Sequence, residues 1–151
     1  MAIKNHEYWM EEAIAEAKKA QALKEVPIGA IVVVENKVIA RAHNFVESKK
    51  DATAHAEILA IQEASRNLNS WRLEEASLFV TLEPCTMCIG AMILARIKNL
   101  YFGCYDPRQG AVGSIYDLSA FPALPHAINV YPEVLKDQCL SLLSTFFQSK
   151  R

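Results

Sequence analysis

A chain of 151 residues, 52% apolar and 22% charged, can bury an ordinary core and reads as one domain spanning residues 1–151. Its net charge of −1 excludes a global positive field for nucleic acid, though not a local basic surface. The charged segment Met1 to Glu16 shows no secretory signal and the apolar run Ile28 to Val34 is far too short to span a bilayer, so a cytoplasmic setting without a membrane partner is expected.

Met10, Ala13, Ile14, Ala17 and Ala20 recur at helical spacing between Glu and Lys, predicting an amphipathic helix over Asn5 to Leu23. Pro27 and Gly29 close it. Ala30 to Val34 and Lys37 to Arg41 flank Glu35-Asn36 as a predicted hairpin, and the first strand is apolar on both faces, as in a strand covered by helices. Lys49 to Ala52 reads as a polar loop, with Thr53 as the expected cap of a helix ending near Asn67. Ser77 to Leu82 is a third strand. Pro84 suits a first helical position, so a helix is expected from there to Arg96. That helix is apolar nearly all round, which predicts burial partly in the core and partly in a subunit interface. Leu100 to Gly103 is a fourth strand. Asp106 to Pro125 is a long loop of the kind that carries function. Ile128 to Tyr131 and Glu133 to Ser149 complete the series as a strand and a helix. Alternating strands and helices imply an α/β layered fold.

The cysteines are Cys85, Cys88, Cys104 and Cys139. In a reducing compartment a close pair is more often metal-binding or redox-active than a disulfide, and Cys104 and Cys139 read as buried small hydrophobes. Cys85 and Cys88 lie one helical turn apart in Pro84-Cys85-Thr86-Met87-Cys88, downstream of His55-Ala56-Glu57. A helix N-terminus favours their thiolate forms. Structural zinc sites usually close with four protein ligands, whereas catalytic ones use three and keep a position for water. His55, Cys85 and Cys88 supply three, which leaves Glu57 as a proton carrier. In mid-helix His55 and Glu57 would point about 200° apart, so their motif has to open a helix, with the Ala56 amide exposed between them. Two plainer readings compete: a redox Cys-x-x-Cys pair, and a structural zinc completed by His43 or His126.

The paired motifs resemble the signature of the zinc-dependent nucleobase deaminases. The likeness continues through Glu25-Val-Pro-Ile-Gly-Ala30, Asn44, Thr53-Ala-His-Ala-Glu57, Thr81-Leu-Glu-Pro-Cys85, Asp106 with Gly110-Ala-Val-Gly-Ser114, and Leu142-Leu-Ser-Thr-Phe-Phe147. Over nearly its whole length the chain is similar to bacterial tRNA-specific adenosine deaminases. The resemblance implies a cytidine deaminase-like fold of three layers, α/β/α, around a five-stranded mixed sheet. It implies one Zn2+ per subunit held by His55, Cys85 and Cys88, a homodimer, and a tRNA anticodon stem-loop as partner. The implied reaction is hydrolysis of the wobble adenosine to inosine, in which zinc-activated hydroxide attacks C6 and Glu57 shuttles the proton. By the same analogy Asn44 and the Ala56 amide hold the base or ribose, and Ile28, Leu82 and Phe147 line its pocket. Asp106, Arg108 and His126 would meet flanking RNA, with Lys49, Lys50, Lys150 and Arg151 as local basic groups. Of the adjacent pair Phe146 and Phe147, only one is expected to be free for the pocket.

The chain departs from the family pattern at three places. Asp51-Ala52-Thr53 stands where Asp-Pro-Thr is common, Pro125-His126 replaces Asn-His, and no long basic tail follows Lys150. Two rival functions follow from the same residues. One is deamination of a free base or nucleoside (guanine, cytosine or cytidine); the other is a non-catalytic zinc module.

Overall fold

The computed structural model describes residues 4–150. Five strands, β1 (Gly29–Val34), β2 (Lys37–His43), β3 (Ser77–Leu82), β4 (Asn99–Cys104) and β5 (Asn129–Tyr131), form one sheet in the order β2-β1-β3-β4-β5. β1 is antiparallel to both β2 and β3, whereas β3, β4 and β5 run parallel. The sheet is therefore mixed. Helices α1 (His6–Ala22) and α5 (Lys136–Ser149) cover one face; α3 (Ala56–Leu68) and α4 (Thr86–Ala95) cover the other.

Strand alternation explains this layering. Ala30, Val32, Leu78, Val80, Leu100 and Phe102 pack with Ala60, Ala64, Ile89 and Met92 of α3 and α4. Their sequence neighbours Ile31, Val33 and Phe79 point the other way, onto Trp9, Met10, Ala13 and Ile14 of α1 and Leu143 of α5. Cys104 and Cys139 are both buried in this second core as free thiols, pushed up to about 11 and about 12 by burial. Gly29 lets α1 lie directly on the start of β1, because a Cβ there would sit 2.1 Å from the Ala13 carbonyl oxygen and 2.4 Å from the Ala17 nitrogen. Gly29→Ala is expected to lower stability by at least about 1–3 kcal/mol, as overpacking against backbone does, measured by thermal unfolding.

Helix starts differ from the sequence expectation in three places. Thr53 does not cap a helix: its amide and hydroxyl both donate to Asp51 Oδ1, at 2.8 and 2.7 Å, and close a tight turn instead. The helix begins at Ala56 with His55 as N-cap. Likewise Pro84 precedes the N-cap, Cys85, and its carbonyl accepts from the Ala111 amide at 2.9 Å. The last helix starts at Lys136 rather than Glu133, since Glu133 and Leu135 hold left-handed φ angles of 61° and 53°. The expected loop Lys49 to Ala52 is preceded by a single helical turn, α2 (Val46–Lys49), ended by Lys50 in the left-handed conformation.

Candidate active site

Two helix starts meet on the α3/α4 side of the sheet. The β2–α3 connection ends at His55, and β3 runs through Glu83-Pro84 to Cys85; both N-caps are extended, and neither side chain caps its own helix. Their side chains turn toward one another instead. His55 Nδ1 lies 3.6 Å from Cys85 Sγ and 3.5 Å from Cys88 Sγ, and the three atoms all fall within 4.8 Å of each other. Around a tetrahedral ion with bonds of about 2.0–2.3 Å, nitrogen and sulfur ligands stand roughly 3.5 Å apart. The cluster can hold a metal ion. Among the described residues neither His43 nor His126 joins it: His43 stacks on Phe45 at 4.4 Å, and His126 Nε2 lies 2.8 Å from the Ile97 carbonyl oxygen. The donor set is three.

The protons in this cluster are shared. The Cys85 thiol is held down to about 4, first by the hydrogen bond from Cys88 and then by that from His55. Cys88 is pushed up because it is the partner that keeps its proton for Cys85, and burial adds to this. The Cys85 hydrogen bond also raises His55. One cation would replace protons on this set.

Ala56 and Glu57 occupy the first two positions of α3, so the motif does open a helix. The Ala56 amide consequently has no acceptor within its own helix. Glu57 is only 4% exposed and shares a hydrogen bond with Cys88. Burial above all raises its carboxyl to about 7, with the Cys85 charge adding to the effect. A carboxyl near neutrality can both take and give a proton at physiological pH.

Beside the cluster opens a cavity of about 850 Å³, lined by Ile28, Asn44, His55, Ala56, Leu82, Asp106, Arg108 and Phe147 together with Glu25 and Glu47. His55 and Ala56 are where it meets the metal-ligand group. Asn44 is buried; its backbone N–H donates to the Ile28 carbonyl at 3.1 Å and its side-chain Oδ1 accepts from the Val46 backbone N–H at 3.4 Å. Asp106 Oδ1 accepts from the Arg108 and Gln109 amides at 3.0 and 3.4 Å. Phe146 packs inward at 7% exposure while Phe147, at 49%, lines the cavity.

Other predicted positions lie elsewhere. His126 lines a separate depression with Arg72, Arg96 and Lys98, so the structure does not bring it to the cavity. Lys49, Lys50 and Lys150 are exposed and are not part of the lining, with Lys49 and Lys150 set over the rings of Phe45 and Phe146. Arg151 lies outside the described residues.

Two carboxylates escape a reading by motif. Glu25, 1% exposed, accepts from the Glu47 amide at 3.1 Å and from both the amide and hydroxyl of Ser48 at 2.6 Å, tethering α2 beside the cavity. Burial raises its pKa, but those hydrogen bonds outweigh burial and hold it below the usual range. Glu83, 2% exposed, accepts from Asp106, Val112 and Ser114 of the long loop. A signal for Glu83 was available: an acid that ends an apolar strand needs donors, and nearby sequence offers no cation.

Residues 4–135 match the family model of the MafB19-like deaminases. A tRNA-specific adenosine deaminase of Bacillus subtilis is 47% identical over 145 residues, covering 96% of this chain and 90% of the relative. Among solved structures, a tRNA:A34 deaminase that edits A to I at the wobble position superposes with a TM-score of 0.87 at 44% identity, over 90% of this chain and 99% of the other. A guanine deaminase from Bacillus subtilis is more distant, at a TM-score of 0.67 and 30% identity over 97% and 94% of the two chains.

Proposed function

We propose a function from one premise: the chain belongs to the family of tRNA-specific adenosine deaminases, and it hydrolyses the adenosine at the wobble position of a tRNA anticodon to inosine and ammonia. The observation that carries this reading is the three-donor cluster with Glu57 beside it, set at the end of a cavity of about 850 Å³. The RNA reading is favoured over the guanine, cytosine or cytidine alternative by likeness: 47% and 44% identity to tRNA adenosine deaminases, against 30% to a guanine deaminase.

His55, Cys85 and Cys88 are the ligands we assign to one Zn2+ per subunit; their N–S separations of 3.5 and 3.6 Å suit its tetrahedral habit. Zinc bound there supplies an acidic water, with a pKa lowered from about 15.7 to about 7. Glu57 takes the proton from the attacking water and returns it to the departing amino group of the adenine. The Ala56 amide and Asn44 orient the base, while Ile28, Leu82 and Phe147 pack on it and keep bulk water out. Asp106 and Arg108 meet the flanking strand. The whole chain, 1–151, acts as one deaminase domain in the reducing cytoplasm, where its four free thiols stay reduced. No helix among the described residues is long and apolar enough to cross a membrane. Incubation of the zinc-loaded protein with an anticodon stem-loop, followed by sequencing for inosine, tests the proposal. No conversion, with ammonia released from guanine or cytidine instead, would overturn it.

We also propose a homodimer through the outer face of α4. Leu94 is 67% exposed, Met87 and Ala91 are half-buried, and the space beside Gly90 is open, so an apolar surface faces outward. Leu94→Glu is expected to convert a dimeric mass to a monomeric one by sedimentation at micromolar protein. A wild-type monomer would refute the dimer.

A further inference from the structure

We propose that Glu83 is a positioning residue for the RNA, whose buried carboxylate locks the segment Asp106–Ser114 into the shape that presents Asp106 and Arg108 to the bound strand. This rests on the tRNA reading above and adds a residue that does not itself touch the substrate. Glu83 directly follows β3 and is 2% exposed. Its Oε1 accepts from the Asp106 amide at 2.9 Å and from the Ser114 hydroxyl. Its Oε2 accepts from the amides of Val112, at 2.9 Å, and Ser114, at 3.1 Å. All four donors come from one loop. No ion pair among the described residues includes Glu83, so those donors alone offset the cost of burying the charge.

Gly110 is the second observation. A Cβ at this position would lie 2.2 Å from both Glu83 Cδ and Oε1, so the loop closes on the acid only because residue 110 has no side chain. The loop is then stiffened from within, by Gly110 donating to the Asp106 carbonyl at 2.9 Å, and fastened to the metal-ligand segment through Ala111 and Pro84 at 2.9 Å. Asp106 is itself one anchor, Arg108 lies between it and Gly110, and both line the cavity. Glu83 thus converts a long surface loop, whose flexibility would be paid for on RNA binding, into a preformed wall.

Glu83→Gln tests this, because it keeps the shape but turns an NH2 toward amide donors. KM for the anticodon stem-loop is expected to rise about 5–150-fold, the range set by one unsatisfied buried donor, with kcat and zinc content nearly unchanged. Ser114→Ala removes only the hydroxyl bond and should shift KM in the same direction by less. Without any RNA, trypsin should cut after Arg108 faster in Glu83→Gln than in the wild type. Unchanged KM together with unchanged cleavage at Arg108 would overturn the proposal, as would an equal loss in kcat with KM constant. If the wild type makes no inosine the tRNA reading fails, and cleavage at Arg108 still decides whether Glu83 holds the loop.

Discussion

Glu57→Gln is expected to lower turnover about 10²–10⁴-fold while leaving the metal content unchanged. The glutamine side chain has nearly the same volume and still accepts one hydrogen bond, so the buried pocket at the start of α3 is not emptied. What it cannot do is carry a proton. In free-energy terms the loss is about 2.7–5.4 kcal/mol of transition-state stabilisation. Because the cluster donors are His55, Cys85 and Cys88, zinc stoichiometry measured by mass spectrometry on the same preparation should equal that of the wild type. A variant that kept normal turnover would remove Glu57 from the proposed chemistry, and one that lost its metal would make it a ligand.

Removing a donor has a different signature. Cys88→Ala should lose the proposed zinc, and stability with it, since three donors gathered only by the folded chain would make a site the unfolded chain lacks. At free zinc 100–1,000 times the dissociation constant the linked stabilisation is about 2.7–4.1 kcal/mol, or roughly 5–16 °C in melting temperature for a chain of this size. Chelation of the wild type should reproduce the shift, and chelation of Cys88→Ala should add nothing. The affinity should also rise with pH. In the metal-free site Cys88 and His55 are held protonated, by the Cys85 hydrogen bonds first of all, and those protons must leave before the ion binds. Chelators should therefore strip the protein more readily as pH falls. Equal melting temperatures with and without zinc would contradict the coupling.

Much of the architecture is legible in the sequence because it is written in periodicity. Apolar residues on both faces of β1 and β3 demand a covered sheet, and the near-uniform apolarity of α4 demands burial on most sides. The spacing of His55, Glu57, Cys85 and Cys88 is legible too, given the condition that each motif opens a helix. What escapes is local competition and distance. Thr53 has cap chemistry, but Asp51 captures its hydroxyl two residues away. The turn α2 has no periodic signal of its own, since its amides are fastened by Glu25 from another loop. Glu25 and Glu83 are held mostly by backbone amides, with one hydroxyl each from Ser48 and Ser114, and an amide leaves no mark in a sequence. His126 has only the likeness of a loop behind it, and its ring lies against the carbonyl of Ile97 in a depression apart from the cavity.

The N-caps of α3 and α4, His55 and Cys85, are not free to fasten their own helices. Serine, threonine, aspartate or asparagine at an N-cap ordinarily ties down the opening amides for about 1 kcal/mol, and here both positions spend their side chains on a shared cluster. Each helix therefore begins without its usual fastener. When the ion leaves, deuterium should enter the amides of the opening turns of both helices first, well before the sheet exchanges. The centre that performs the chemistry would then also be the clasp that keeps two helices wound to their ends.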